Sequence, residues 1–330
     1  MGNSNKQGFD LMRLTPELQV KVFEALPTPW AVVGLRLTCR DLNALFLAYR
    51  TQIETATRDN LVAPFYEYYD FLARLHIPAS DIKHPPAEGW PNITAENCSG
   101  FGKSDFVIDV LRHLTYIADH GEFERSISNT DFKSNVVDYS TATAKDFSGP
   151  SLKHGETAHE AEGPISRHKV VIACGYESGG IDLILDTRTG EIFEEIIRVG
   201  SGETLHVREY FELKVRQCRE LKTVFAPGED AHWGGFGNEE GSYDAAAMEE
   251  AGERSYADES FHLEGQIRDL KWVCHLYRKF GWPGEGWQKD DGLKAIAEYV
   301  GRRNVEAEGR HEEVERMKRE AERRNAEANL

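Results

Sequence analysis

The residues of this chain that could do chemistry crowd into one stretch, residues 169–198, where three glycines between Gly175 and Gly180 precede Asp182, Asp186, Glu191 and Glu194. Three chemistries suit such a composition, and each is missing a part. A nucleophile elbow needs Gly-x-Ser-x-Gly, but in Gly175-Tyr176-Glu177-Ser178-Gly179 the serine is displaced by one place. A phosphate-binding loop needs a Gly-Lys-Ser/Thr ending and a helix behind it, whereas a strand pattern follows here. A carboxylate pair for acid–base work needs one raised pKa, and nothing in the local pattern implies it. Carboxylates beside turns accept hydrogen bonds from turn amides, which is the reading taken for Asp182 and Asp186.

Other candidates are thinner. His113 lies near an apolar helix face with no companion at metal spacing, and His154 and His159 stand five apart in a polar segment. The five cysteines, Cys39, Cys98, Cys174, Cys218 and Cys274, are odd in number and widely spaced, a pattern of reduced core thiols in an intracellular protein. The acidic block Glu229–Glu259 holds ten carboxylates against Arg254 alone but no Asp-x-Asp-x-Asp-Gly calcium loop. The expectation is a non-enzymatic chain with no cofactor and no metal.

The elements that must position these residues begin with a meander. Lys169–Cys174 is β-branched and apolar. Ile181, Leu183 and Leu185 then alternate with Asp182, Ile184 and Asp186, which predicts one apolar and one mixed strand face. A third strand runs from Ile192 to Val199. Such a sheet needs helices over its buried face. The spacing predicts helices over 60–78, from Ser104 to Ile117, and from Thr204 to Phe225. It predicts two more around Ile267–Tyr277 and Leu293–Val300. Residues 78–91 read as a proline-rich loop, 141–166 and 226–262 as mobile insertions, and 301–330 as a solvated helical tail laced by Glu–Arg pairs four apart.

Three short helices are predicted over residues 11–50. Thr15 and Pro16 start the first, Pro27 and Pro29 end it, a second carries Val32, Val33 and Leu35, and a third is capped near Thr38. So few apolar residues make a marginal core, which something else must complete.

The bulk composition narrows the partners. The chain has 330 residues, 40% hydrophobic, with net charge −17 and mean hydropathy −0.53. That charge opposes nonspecific binding to nucleic acid or to an anionic membrane. No apolar run approaches the roughly 20 residues of a membrane span, and the start lacks the apolar centre of a signal peptide.

Residues Leu14-Thr15-Pro16-Glu17-Leu18, Val22-Phe23, Leu26-Pro27 and Leu35 to Arg40 resemble an F-box. Pro16 sits one place later than the usual first proline, and Asn43 stands where tryptophan is common. The resemblance implies docking to the Skp-type adaptor of cullin–RING ubiquitin ligases, with Leu14, Pro16, Leu18, Leu26, Leu35 and Cys39 at matching positions. Gly179-Gly180-Ile181-Asp182, the strand ending in Asp186, and Gly190-Glu191-Ile192 are similar to the central hairpin of the SUKH superfamily. That superfamily includes yeast regulators of cell-wall glucan synthesis, and the likeness implies a fungal-type α+β binding domain.

The expected architecture is therefore α+β: an F-box-like helical unit (11–55), a SUKH-like domain (60–300) around a mostly antiparallel sheet, and the tail. The expected role is an intracellular, cytoplasmic or nuclear substrate receptor joining an unknown protein client to a ubiquitin ligase. Two alternatives stand beside it: a regulatory scaffold whose first helices are a structural cap, and an enzyme with a site near Asp182 and Asp186.

Overall fold

The structure, a computed structural model, describes residues 11–121, 125–149, 166–227, 232–233, 244–251 and 264–328. In chain order its helices are α1 (Pro16–Glu24), α2 (Pro29–Arg36), α3 (Arg40–Ala48), α4 (Arg50–Leu75), α5 (Asp105–His113), α6 (Ala144–Ser148), α7 (Val207–Arg219), α8 (Ala245–Ala251), α9 (Glu264–Lys279) and α10 (Lys289–Ala328). The strands are β1 (Ile82–Lys83), β2 (Tyr116–Ile117), β3 (Asn129–Asp131), β4 (Ser134–Val136), β5 (Lys169–Gly175), β6 (Ile181–Asp186), β7 (Glu191–Ile196), β8 (Gly200–His206), β9 (Thr223–Val224) and β10 (His232–Trp233). The class is α+β, with a central antiparallel sheet.

The chain divides into two compact units. The first comprises residues 1–73, 78–119 and 134–213, and the second residues 74–77, 120–133 and 214–330. The first helices share a unit with the sheet, whereas everything after residue 213 belongs to the other unit.

In the first unit, proline at the first helical position starts α1 and α2, where its missing N–H costs nothing. Thr28 caps α2 by accepting from the Ala31 amide at 3.1 Å. The cap of α3 is Cys39, whose sulfur accepts from the Leu42 amide at 3.5 Å. Thr38, the expected cap, instead donates its hydroxyl to the Leu35 carbonyl at 2.7 Å and closes α2. Helix α4 begins at Arg50, ten residues before the spacing predicted. Its buried stripe runs Ile53, Thr57, Leu61, Phe65, Tyr69, Leu72, and the threonine in this register hides the first two turns. The Thr57 hydroxyl is satisfied by the Ile53 carbonyl at 2.8 Å.

Ser104 caps α5 as expected, accepting from the Val107 amide. The helix stops at His113, and Tyr116–Ile117 pairs with β1. Strands β4 to β8 form antiparallel neighbours in sequential order, with the predicted meander as β5, β6 and β7. All six β6 side chains are buried, so the expected mixed face is covered too. Thr204–His206, assigned to a helix by spacing, extends β8, and the helix starts at Val207 and ends at Arg219. Phe211 of α7 packs on Phe65 and Tyr68 of α4 at 4.9 and 4.7 Å between ring centroids. The insertion expected over 141–166 begins as packed structure. Thr143 and Asp146 form a capping box for α6, and Phe147 lies buried against Phe101. Residues 150–165, with His154 and His159, lie outside the described residues.

In the second unit, Tyr277, Trp282 and Trp287 pack ring to ring. Their polar tips reach backbone carbonyls. Tyr277 donates to Phe225, Trp282 to Cys218, and Trp287 to Arg74. Lys214 and Asp131 form an ion pair at 2.5 Å, nearly closed off from solvent. Part of the acidic block is ordered as α8, capped by Asp244, with Glu249 held by Lys279 at 2.7 Å and His275 at 3.1 Å. The rest, 228–231, 234–243 and 252–263, lies outside the described residues. Helix α10 continues through Gly301 into the tail without a break. Every predicted Glu–Arg pair of the tail includes at least one side chain outside the described set.

Candidate protein-docking site

Helices α1 to α3 enclose a small core of Val20, Phe23, Val32, Leu42 and Phe46, and α4 completes it with Ile53. Burying each such side chain is worth roughly 1.5–3 kcal/mol, so six together support a fold that remains small. The rest of the unit reinforces it. Asn60 donates to the carbonyls of Glu24 and Leu26, and the Trp30 amide donates to the Arg188 carbonyl at 3.0 Å.

The outer surface of these helices is apolar to an unusual degree. Among the described residues eleven large hydrophobic side chains are exposed, and seven of them, Met12, Leu18, Trp30, Val33, Leu37, Leu47 and Tyr49, lie within the first fifty positions. Trp30, Val33 and Leu37 are spaced three and four apart and so share one face of α2. Trp30 is 62% exposed and Leu37 71%. A hypothetical Cβ on Gly34, on the same face, would meet nothing within 4 Å. Val32 on the opposite side enters the core. Helix α2 thus buries one apolar side and leaves another exposed.

The six residues matched to the F-box pattern separate by environment. Pro16 and Leu18 are exposed, Leu18 at 51%. Leu14 is half-buried. Leu26, Leu35 and Cys39 pack against the small core, and Cys39 also caps α3. Replacing Leu35 therefore probes folding, and Leu18 is the position that probes docking. Trp30, Val33 and Leu37 escaped the sequence reading because α2 is apolar on both faces, and periodicity alone cannot say which face is outward.

The glycines and aspartates of the meander act as turn hardware. Asp182 accepts from the Gly175 amide at 2.7 Å, and Asp186 from the Arg188 amide at 2.9 Å. The Gly179 amide donates to Ile197 and the Gly180 carbonyl accepts from Ile197, closing the β5–β6 turn onto β7. Gly190, at φ +70, lies where a side chain would strike Thr28, Leu61 and His206. The Arg188 guanidinium lies 5.8 Å from the Trp30 ring centroid, so this turn holds the base of α2. Beside Asp182, burial and the carboxylate push the Cys174 thiol up to about 12, the reverse of an activated nucleophile. His113 shares its Nδ1 with the Asp109 carbonyl at 2.8 Å, a satisfied helix-surface histidine. Among the described residues no group of three or more His, Cys, Asp or Glu side chains is placed to hold a metal ion. None of the described helices is long and apolar enough to cross a membrane.

No family model, curated protein or solved structure matches the chain.

Proposed function

We propose that this protein is a substrate receptor of the F-box type, in which α1 to α3 dock a Skp-type adaptor and the α+β part holds a protein client. The supporting observation is the concentration of exposed apolar side chains on these helices. Exposing so much apolar surface on the least massive part of the fold has a natural explanation in an obligate partner. The mechanism is proximity, with no covalent step by this chain. Co-purification with a purified Skp-type adaptor tests it. Wild type is expected to be retained and Leu18→Asp lost, with both proteins equally folded because Leu18 lies at the surface. Failure of the wild type to bind, or undiminished binding by Leu18→Asp, contradicts the reading.

A second reading rests on a different observation, the seating of α2 on the β6–β7 turn through Trp30, Arg188 and Gly190. It treats α1 to α3 as a structural cap on a regulatory scaffold with no ubiquitin-ligase role.

A further inference from the structure

Strand β8 ends the order of the central sheet, and its first five residues, Gly200 to Thr204, are all exposed. Its hydrogen bonding to β7 can be read from the register. The Val207 amide donates to the Gly190 carbonyl at 2.8 Å, so the backbone at 207 faces β7, although the Gly190 amide itself donates to Asp186. Bonded and non-bonded pairs alternate along an antiparallel ladder. Ile192–Leu205 is therefore bonded, while Glu191–His206 and Phe193–Thr204 are not. The Thr204 N–H and C=O and the His206 N–H accordingly point away from β7, toward the open edge.

Edges are ordinarily blunted by lysine, proline or a bulge. Residues 200–206 contain no lysine and no proline. A bulge is present, but it precedes Thr204: the register shifts between Phe193 and Glu195, and the Glu194 carboxylate clasps it by accepting from the Glu203 amide at 3.0 Å and the Tyr210 hydroxyl at 2.8 Å. Past the bulge Thr204 is left exposed on this edge, with Leu205 and His206 half-buried behind it.

Charge selects the occupant. The hairpin from 191 to 206 carries Glu191, Glu194, Glu195 and Glu203 against Arg198 alone, a net −3. A second copy pairing edge to edge would set these carboxylates against one another within a chain of net −17. We propose that the outer edge of β8 receives an extended, basic peptide segment as an added strand. Thr204 supplies main-chain donor and acceptor, His206 supplies a donor, and the exposed Glu203, with Glu191, favours lysine or arginine side chains of the guest. The peptide and the adaptor are different partners read by separate titrations, so failure of either leaves the other in place.

Fluorescence anisotropy of the full chain with a labelled peptide of alternating lysine and threonine tests the proposal. The same peptide N-methylated at every second amide, and a glutamate–threonine counterpart, are the comparisons. Wild type is expected to bind the basic peptide and to bind the N-methylated form at least about tenfold more weakly, since two or three main-chain hydrogen bonds are lost. The glutamate peptide is expected not to bind. Thr204→Pro, which removes one outward N–H and no ladder bond, is expected to weaken binding about threefold to tenfold, as the loss of a single main-chain hydrogen bond does. Equal affinity for the N-methylated peptide would show charge attraction alone and overturn the proposal. So would no binding of the basic peptide, binding of the glutamate peptide, or a folded Thr204→Pro variant that binds like wild type. Should that variant fail to fold, the comparison of peptides on the wild-type chain decides.

Discussion

Gly190 occupies the left-handed region at φ +70, and a Cβ there would come within 2.9 Å of His206 Nε2 and 3.1 Å of Leu61 and Thr28. Gly102 shares the backbone conformation, at φ +75, but has open space around it. The pair separates backbone strain from crowding. Gly102→Ala is expected to cost only the conformational term, about 1 kcal/mol, and Gly190→Ala at least about 2 kcal/mol, read from urea unfolding. His76 offers a pH test at the same scale. Its ring stacks on Phe225 at 4.0 Å, and its Nε2 is shut away without a hydrogen-bond partner although the residue retains some exposure. Burial, with the Lys289 ammonium nearby, lowers its pKa from 6.5 to about 3. The fold thus favours neutral His76. Its contribution is complete above about pH 6.5 and shrinks as pH falls toward 3, by up to about 1.4 kcal/mol per unit, because the unfolded chain takes up the proton first. Comparing urea midpoints of wild type and His76→Phe at pH 7.5 and 4.5 (about one unit above and two below the usual histidine value) is expected to show a steeper acid loss in wild type. Parallel losses would contradict it.

At the scale of elements, α1 to α3 complete the unit they sit on. Thr28 covers Gly190, and the core of α1 to α3 shares Ile53 with α4. Deleting residues 1–48 is expected to lower the thermal midpoint by roughly 5 °C or more, since each kcal/mol lost from a domain of this size is worth a few degrees. An unchanged midpoint would mark these helices as an independent module. The same elements show what the sequence could reveal. Strands β5 to β7 were legible because alternation at Ile181, Leu183 and Leu185 survives whatever covers the sheet. Strand β8 was not, because Gly200-Ser201-Gly202-Glu203 has no apolar alternation and becomes a strand only by pairing with β7. The start of α4 was hidden by Thr57 in a core register, and α6 by its shortness. The family-like turn residues were legible as turns. The outward face of α2 was not, since Val32 and Val33 are equally apolar and only tertiary packing separates them.

Across the whole molecule, charge and apolar exposure are unevenly shared. Residues 11–50 carry five basic and three acidic side chains, net +2, in a chain of net −17. The exposed apolar positions gather on that same segment. A mildly basic, apolar segment in an otherwise acidic chain is complementary in charge to an acidic partner. This distribution underlies the receptor reading, in which one end is captured by an adaptor and the other part presents a client. The most direct measurement is calorimetric titration of a purified Skp-type adaptor into wild type, Leu18→Asp and Leu37→Asp, with thermal midpoints recorded for each. The account predicts saturable binding by wild type and a loss of at least about tenfold for each variant at an unchanged midpoint. Absent heat for the wild type, or equal affinity in all three, would contradict it.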